Sequence, residues 1–436
     1  MIKHLFNSLF WKGLNILSSM VTGILLARFL SISDRGEYVI FISVIALYSV
    51  IINLGIPESL VYLLQKDKKN SSFYLKIGLL VPVLVLVLVI LIYYFFKSFE
   101  INIFYFDNES FLYLTLLCVL LVAYNILFRH IILKENRIPL YNFLSSFELI
   151  LIPFILFIFY KLDKFTLYNI ILIFISISVL SFLIHVFFTR KSIKELLSHN
   201  ETQFTITNIR KLFAFAFPLF FLGISGIFST RLNLFLLEYF HDFKNVGYYS
   251  VAMILPNLIL VIPNQVSVLL YPVASSINND NQLTSYGTDI LKSIIFFLFF
   301  FILASSLVIP YIIPAFYGEK YIVVIPTIYI IIVGVFFGGI NAVLMNLLIS
   351  KGLPKVLLYN GIITITGIFI FSFLVHYYSY IGTALTYTIV SLICCAYSFY
   401  QYKKTSKIKF SSLLIRKDDL TQLYKKVLNV IKKDEN

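Results

Sequence analysis

The chain has little charge, three cysteines and one tryptophan. Of its 436 residues only 13% are charged and 60% are hydrophobic, whereas soluble proteins average roughly a quarter charged residues. The net charge of +14 would suggest nucleic-acid binding in a soluble protein, but here membrane topology accounts for it. The composition predicts a polytopic membrane protein with no nucleic-acid partner.

The sequence also lacks the motifs of nucleotide and metal chemistry. Cys118, Cys394 and Cys395 lie in apolar runs without ligand spacing, which argues against a disulfide framework and a zinc site. There is no Walker A loop, no Gly-x-Gly-x-x-Gly motif and no His-x-x-x-His pair. We therefore expect no catalytic residues, no metal and no cofactor, and an ATP-driven pump would need a separate subunit.

Long apolar runs fill most of the chain. A window of about nineteen residues, the usual length for finding membrane helices, picks out twelve segments. They are 9–30, 38–64, 76–96, 111–133, 141–160, 167–188, 212–238, 247–272, 290–314, 324–350, 356–376 and 381–401. The prediction is an all-α membrane protein of about twelve transmembrane helices in two six-helix bundles around a central cavity.

The basic loop residues indicate the orientation. With a cytoplasmic N-terminus, most of them fall on the inner side, and the outer side carries only Arg35, Lys97, Lys161, Lys164, Lys244 and Lys320. The positive-inside rule then makes both termini cytoplasmic. The longest loop, about 189–211, divides the chain into bundles 1–200 and 201–402. The basic tail 403–436 contains an amphipathic pattern over 418–433, typical of a helix on anionic lipid; partner docking is the alternative.

An internal repeat links the two halves. Gly36-Glu37-Tyr38 opens the second predicted span and Gly247-Tyr248-Tyr249 opens the eighth. Each motif follows a span that carries an arginine in its outer part, Arg28 or Arg231. Two halves in the same orientation are typical of transporters whose substrate cavity lies between parallel repeats.

Arginines at membrane depth are the first candidates for ligand binding. Arg28 and Arg231 occupy equivalent places, and the guanidinium fork suits phosphate groups, so we expect a shared anionic ligand. The alternative is that such side chains extend to the lipid headgroups. Arg129 lies nearer the inner end of its span, where that alternative is stronger, and it is a secondary candidate.

Acidic and amide side chains supply further candidates. Glu58 and Glu148 lie within predicted spans and can carry a proton or a sodium ion during transport; ion pairs with Arg129 or Lys12 are the alternative. Asn53 and Asn257 can donate hydrogen bonds to sugar hydroxyls or join helices.

Short motifs in both halves resemble one known family. In the first half they are Ala27-Arg28-Phe29-Leu30 and Gly36-Glu37-Tyr38. In the second they are Arg231-Leu232, Val246 to Ala252, Leu270-Tyr271-Pro272, Phe316 to Tyr321 and Tyr380 to Ala384. They resemble the Wzx-type polysaccharide flippases, whose superfamily includes multidrug exporters and the flippase MurJ. The chain departs from the pattern at Thr230, where many relatives are acidic, and at Arg35, where they have an aromatic residue. The first departure puts an ion pair at that position in doubt, and the second is expected to affect only the loop.

The resemblance implies a function and a location. It implies transfer of an undecaprenyl-diphosphate-linked oligosaccharide across the bacterial cytoplasmic membrane by alternating access, for O-antigen, capsule or exopolysaccharide synthesis, with polysaccharide polymerase machinery as a partner. An ion-coupled multidrug exporter of the same superfamily is the nearest alternative. A membrane glycan polymerase or ligase is a further one, although the predicted outer loops are short.

Overall fold

The chain folds into helices, as the sequence predicts. The structure is a computed structural model that describes residues 2–99, 109–198, 205–275, 277, 279–353 and 355–406. Within these ranges it contains helices and no strands, and the predicted helix of residues 418–433 lies outside them. The α-helices are α1 (Ile2–Phe29), α2 (Ile32–Asn53), α3 (Ile56–Lys66), α4 (Ser71–Lys97), α5 (Glu109–Lys134), α6 (Ile138–Lys161), α7 (Leu167–Ser198), α8 (Ile206–Phe240), α9 (Phe243–Ala252), α10 (Ile254–Ser275), α11 (Asp280–Ile312), α12 (Ile325–Ser350), α13 (Lys355–Ile370) and α14 (Ser372–Ser406).

The helices match the predicted membrane spans. A bilayer requires about 20 apolar residues in a helix, and ten helical segments of the described ranges meet such a requirement. The pair α9 and α10, bent by 44°, supplies an eleventh and corresponds to the predicted span 247–272. The remaining predicted span, 356–376, corresponds to the shorter apolar helix α13 and the start of α14. The predicted class of polytopic all-α membrane protein is confirmed.

Regular helix geometry is interrupted at two places. Between α2 and α3, Leu54 and Gly55 have φ angles of 49° and 71°, and Pro57 follows in the first turn of α3. A Cβ atom on Gly55 would lie 2.3 Å from the carbonyl oxygen of Ala216, so α8 packs closely against this break. In α14 the backbone leaves helical geometry at Ser379, with φ 54° and ψ −133°. The first break lies within the predicted span 38–64, and the second lies between the predicted spans 356–376 and 381–401.

The helices form two compact units. The first contains residues 1–251 and 316–318, and the second contains 252–315 and the residues from 319 onward. In the first, α5 packs against α2, α3 and α7, α1 packs against α6, and α8 packs against α2 and α3. In the second, α12 packs against α10, α11 and α14. The predicted division into six-helix bundles 1–200 and 201–402 stays a prediction.

Polar side chains tie neighbouring helices together inside the second unit. Asn341 Nδ2 donates to Asn360 Oδ1 at 3.2 Å, and Asn360 Nδ2 donates to the Ser398 hydroxyl at 2.8 Å. The Ser398 hydroxyl in turn donates to Asn341 Oδ1 at 2.7 Å. This closed ring joins α12, α13 and α14, and it satisfies amide groups that would otherwise be costly to bury.

A second polar cluster fixes the loop between α3 and α4 in the first unit. The Asp67 carboxylate accepts hydrogen bonds from Lys211 Nζ (2.5 Å), Tyr74 OH (3.0 Å) and Asn70 Nδ2 (3.1 Å). Asn208 Nδ2 donates to Asn70 Oδ1 at 3.0 Å. Burial tends to raise the pKa of Asp67, but these hydrogen bonds and the Lys211 charge outweigh it and hold the pKa below its ordinary value. The loop is therefore attached to the first turns of α8.

Candidate functional site

Gly36 and Gly247, the glycines at equivalent positions of the internal repeat, lie at one close contact between two helices. A Cβ atom on Gly36 would lie 1.7 Å from the carbonyl oxygen of Phe243, and one on Gly247 would lie 2.0 Å from that of Ile32. These distances leave no room for a side chain, so α2 and α9 touch through their backbones. Glycine permits such an approach because it has no Cβ atom. The repeat motifs therefore form one structural feature within the first unit.

Arg35 lies at the same contact, and this corrects the expectation of a loop residue. Its side chain is only 4% exposed. Nε donates to the Ser250 hydroxyl at 2.9 Å, and Nη1 donates to the Gly23 carbonyl oxygen at 2.8 Å. Arg35 thus joins α1, α2 and α9.

The sequence contains a helix-start pattern just before Arg35, which indicates that this residue belongs to a helix. The side chain of Ser31 caps α2 by accepting a hydrogen bond from the backbone N–H of Asp34. A serine followed three residues later by an acidic residue is typical of a helix start. The pattern indicates that α2 begins at Ile32, which places Arg35 in the first turn of a helix and not in a loop.

Arg231 lies on α8 and faces α2 in the first unit. It is half-buried, and its Nη1 makes a long hydrogen bond of 3.4 Å to the Ser43 hydroxyl. Tyr38 is close enough to interact electrostatically with both Arg231 and Arg35. Among the described residues no carboxylate lies within ion-pair distance of Arg231. A cation at this depth with a neutral hydroxyl as its contact has the chemistry to receive an anionic ligand.

The other predicted ligand-binding residues are spread over both units. Arg28 is exposed in the last turn of α1, and Arg129 is half-buried towards the C-terminal end of α5. Asn53 is buried, and its Nδ2 donates to the Ala123 carbonyl oxygen at 3.4 Å, which joins α2 to α5. Asn257 is exposed on α10 in the second unit. The joint binding of one ligand by Arg28 and Arg231 stays a prediction.

The two predicted ion-coupling carboxylates have different surroundings. Glu148 is half-buried on α6, and its Oε1 accepts a hydrogen bond of 2.9 Å from Asn125 Nδ2. Glu58 is exposed in the first turn of α3. In the part of the chain that the structure describes, neither carboxylate forms an ion pair with Arg129 or Lys12. A coupling role for either residue stays a prediction.

The arrangement of helices is similar to that of several solved membrane proteins. A structure of the lipid II flippase MurJ in an inward closed conformation superimposes with a TM-score of 0.74 at 18% identity, over 98% of this chain and 93% of that one. A MATE multidrug resistance transporter of the MOP superfamily gives 0.69 at 14% identity over 90% and 94%. The Vibrio cholerae MATE transporter VcmN, in its bent form, gives 0.55 at 13% identity over 93% and 97%.

The fold therefore defines a polytopic helical membrane protein of the MurJ and MATE type. The sequence places it more narrowly, because a family model described as "Polysaccharide biosynthesis protein" matches residues 3–278. The chain belongs to this polysaccharide biosynthesis family, and the family resemblance inferred from the short motifs is confirmed. No match was found among curated protein sequences.

Proposed function

We propose that this protein is a flippase for an undecaprenyl-diphosphate-linked oligosaccharide. It moves the repeat unit from the inner to the outer leaflet of the bacterial cytoplasmic membrane, with both termini in the cytoplasm. Surface polysaccharide such as O-antigen, capsule or exopolysaccharide is then assembled outside by partner polymerases. Membership of the polysaccharide biosynthesis family and the MurJ-type fold support this proposal.

The observation that carries the proposal is the environment of Arg231. A diphosphate offers several oxygen acceptors to the guanidinium fork. Arg231 has the Ser43 hydroxyl beside it, and no carboxylate of the described chain neutralises it. A diphosphate at this place would supply the missing negative charge. Such a site holds the head of the carrier lipid while its hydrocarbon tail stays in the bilayer.

The remaining candidate residues have supporting roles in this proposal. Arg28 and Arg129 attract the diphosphate along its route, and Asn53 and Asn257 hydrogen-bond to the glycan. Glu58 or Glu148 couples transport to a gradient of protons or sodium ions. The step is a movement by alternating access in which no covalent bond forms or breaks, so no catalytic residue is required.

The nearest competing function is export of drugs, which the MATE fold also serves. Cationic drugs favour an acidic or aromatic cavity, whereas the described environment of Arg231 favours an anion. A membrane glycan polymerase or ligase would need an additional site for bond formation. The flippase and these two alternative functions are distinguished by where the lipid-linked glycan accumulates when the protein is inactive.

The test uses cells that carry Arg231→Ala, alone and combined with Arg28→Ala. We expect the undecaprenyl-linked repeat unit to accumulate on the inner leaflet and surface polysaccharide to fall at least tenfold, the effect of losing about 1.4 kcal/mol of binding. Arg137→Ala is the matched control, because Arg137 is an exposed arginine that pairs with Glu135 in the loop between α5 and α6. All variants are first checked for normal amounts in the membrane.

Three outcomes separate the competing proposals. Surface polymer that is unchanged in a full deletion contradicts the flippase proposal and favours drug export. Loss of polymer in the deletion but not in the arginine variants keeps the flippase and removes the role of Arg231. Accumulation of unpolymerised repeat units on the outer leaflet indicates a polymerase or ligase.

A further inference from the structure

A column of polar side chains runs through the interior of the first unit. On α7, four buried residues recur at spacings of three and four and so share one face of the helix: Ser178, Ser181, His185 and Thr189. On α5, four polar residues recur near one face at spacings of three, seven and four: Thr115, Cys118, Asn125 and Arg129. Buried polar groups at membrane depth are costly and tend to mark ion or proton routes.

One contact joins these two polar faces, and two ring contacts beside it give the relative level of the two helices. The Cys118 thiol donates to the Ser178 hydroxyl at 3.8 Å. Asn125 lies one heptad after Cys118 on α5, and His185 lies one heptad after Ser178 on α7. Parallel helices rise by the same distance per residue along their axes. The ring of Phe182 lies 6.1 Å from that of Tyr124 and 5.9 Å from that of Phe128. His185 is therefore at the level of Asn125 or up to one turn beyond it.

At this level two buried acceptor atoms have no hydrogen-bond partner among the described residues. They are Oδ1 of Asn125, whose side chain is 2% exposed, and Nε2 of His185, which is 1% exposed. His185 Nδ1 lies 2.7 Å from the Ser181 carbonyl oxygen, which can only accept, so Nδ1 carries the proton of the neutral ring. Nε2 then carries a lone pair that faces the protein interior, where an acceptor without a hydrogen-bond donor is unfavourable.

Charged groups of both signs flank these acceptors. The Glu148 carboxylate binds Asn125 Nδ2, and Arg129 is close enough to His185 to interact with it electrostatically. Helices α2, α4, α5 and α6 pack against α7, and they contribute these ionisable side chains in or against the bundle core: Tyr38, Tyr48, Tyr74, Tyr93, Cys118, Tyr124, Arg129 and Glu148. Among these groups Arg129 is the one basic side chain and Glu148 the one carboxyl group, so a bound proton alters the balance between groups of opposite charge.

We propose that His185, Asn125 and Glu148 form a proton-binding site inside the first unit. The proton binds either Nε2 of His185 or the Glu148 carboxylate. The Asn125 amide responds to it, because its NH2 group donates to an ionised carboxylate whereas its oxygen accepts from a protonated one. A proton fits better than a sodium ion, since hard cations take oxygen ligands and the imidazole nitrogen is suited to protons and transition metals.

This site gives the coupling step of the proposed function a location, and in that sense it depends on the proposed flippase activity. The proton binding itself does not depend on it. In the cycle, a proton that enters the site removes the charge of Glu148 or adds one beside Arg129. Either change alters the electrostatic balance between α5, α6 and α7, whose contacts form the core of the first unit. The proton gradient can then drive the change of conformation.

The test measures proton binding on the purified full-length protein without any lipid substrate. Infrared spectroscopy follows the carboxyl band of Glu148 during a pH titration, and Glu148→Gln identifies the band by removing it. Two groups that share a site titrate as a pair, so we expect His185→Gln and Asn125→Leu each to move the midpoint of that band by at least about one pH unit. Glu135→Gln, in the loop after α5, is the control that leaves the midpoint in place.

The outcomes are decisive for the site and separable from those for the flippase. A Glu148 band whose midpoint is the same in the wild type, His185→Gln and Asn125→Leu refutes the shared site. A midpoint that responds to sodium concentration and not to His185→Gln assigns the site to sodium and also refutes the proposal. If either variant fails to fold, as judged by circular dichroism, the other still decides. A coupled titration in a protein whose deletion leaves surface polysaccharide intact keeps the proton site and removes only the flippase function.

Discussion

Replacing Gly36 by alanine tests the backbone contact between α2 and α9 most directly. A Cβ atom there would lie 1.7 Å from the Phe243 carbonyl oxygen, whereas ordinary contacts are 3.4 Å or more, so the helices must separate by about 1.7 Å. Such a shift breaks the 2.9 Å hydrogen bond from Arg35 to Ser250. Overpacking costs about 1–3 kcal/mol and a lost hydrogen bond to a charged group about 1.5–3 kcal/mol.

The intrinsic effect of the substitution has the opposite sign. Alanine is favoured over glycine in a helix by roughly 0.5–1 kcal/mol. The net loss for Gly36→Ala is therefore about 1.5–5.5 kcal/mol, which for a unit of this size lowers Tm by roughly 3–20 °C. Gly226→Ala is the matched control, because Gly226 lies inside α8 with no atom within 4 Å of the added Cβ. Its Tm should stay unchanged or rise.

Thermal unfolding of the detergent-purified protein, followed by circular dichroism, measures both values. Equal Tm values for the wild type and Gly36→Ala would refute the reasoning, because they would mean that α2 and α9 are not in backbone contact in the dominant conformation. A fall in Tm for both Gly36→Ala and Gly226→Ala would also contradict it, since the loss could then not be assigned to the contact.

Two further predictions concern the polar clusters. Asp67→Asn should lower stability by less than about 1 kcal/mol, as expected for an ion pair near the surface. Because the folded state lowers the pKa of Asp67, its stabilising effect is present above the ordinary aspartate pKa and is lost as the pH falls. The Tm difference from the wild type should therefore shrink as the pH falls below the ordinary aspartate pKa of about 3.9 and disappear once the pH lies below the lowered pKa of the folded state; a difference that persists at still lower pH contradicts the ionic origin. Ser398→Ala should cost about 0.6–1.7 kcal/mol, because it opens the ring with Asn341 and Asn360. A double-mutant cycle with Asn360→Ala measures the coupling, and additive effects would show that the ring is not formed.

The sequence alone determined the class of protein and the positions of its spans. Bilayer thickness sets the length of an apolar helix, so segments such as 167–188 and 324–350 could be recognised without any tertiary information. The short motifs around Arg231 and Gly247 likewise carried the family resemblance that the family match over 3–278 confirms. These features are local in the chain, and local features can be read from sequence.

Only the tertiary structure decided which polar residues meet. Arg35 looked like a loop cation, yet it is buried between three helices, because helix packing rather than composition determines its surroundings. Glu148 has Asn125 as its partner, and Cys118 contacts Ser178, which lies 60 residues further along the chain. Such pairings depend on the rotation and register of packed helices. A helix that is hydrophobic on all sides has no sequence pattern from which its rotation or register could be predicted.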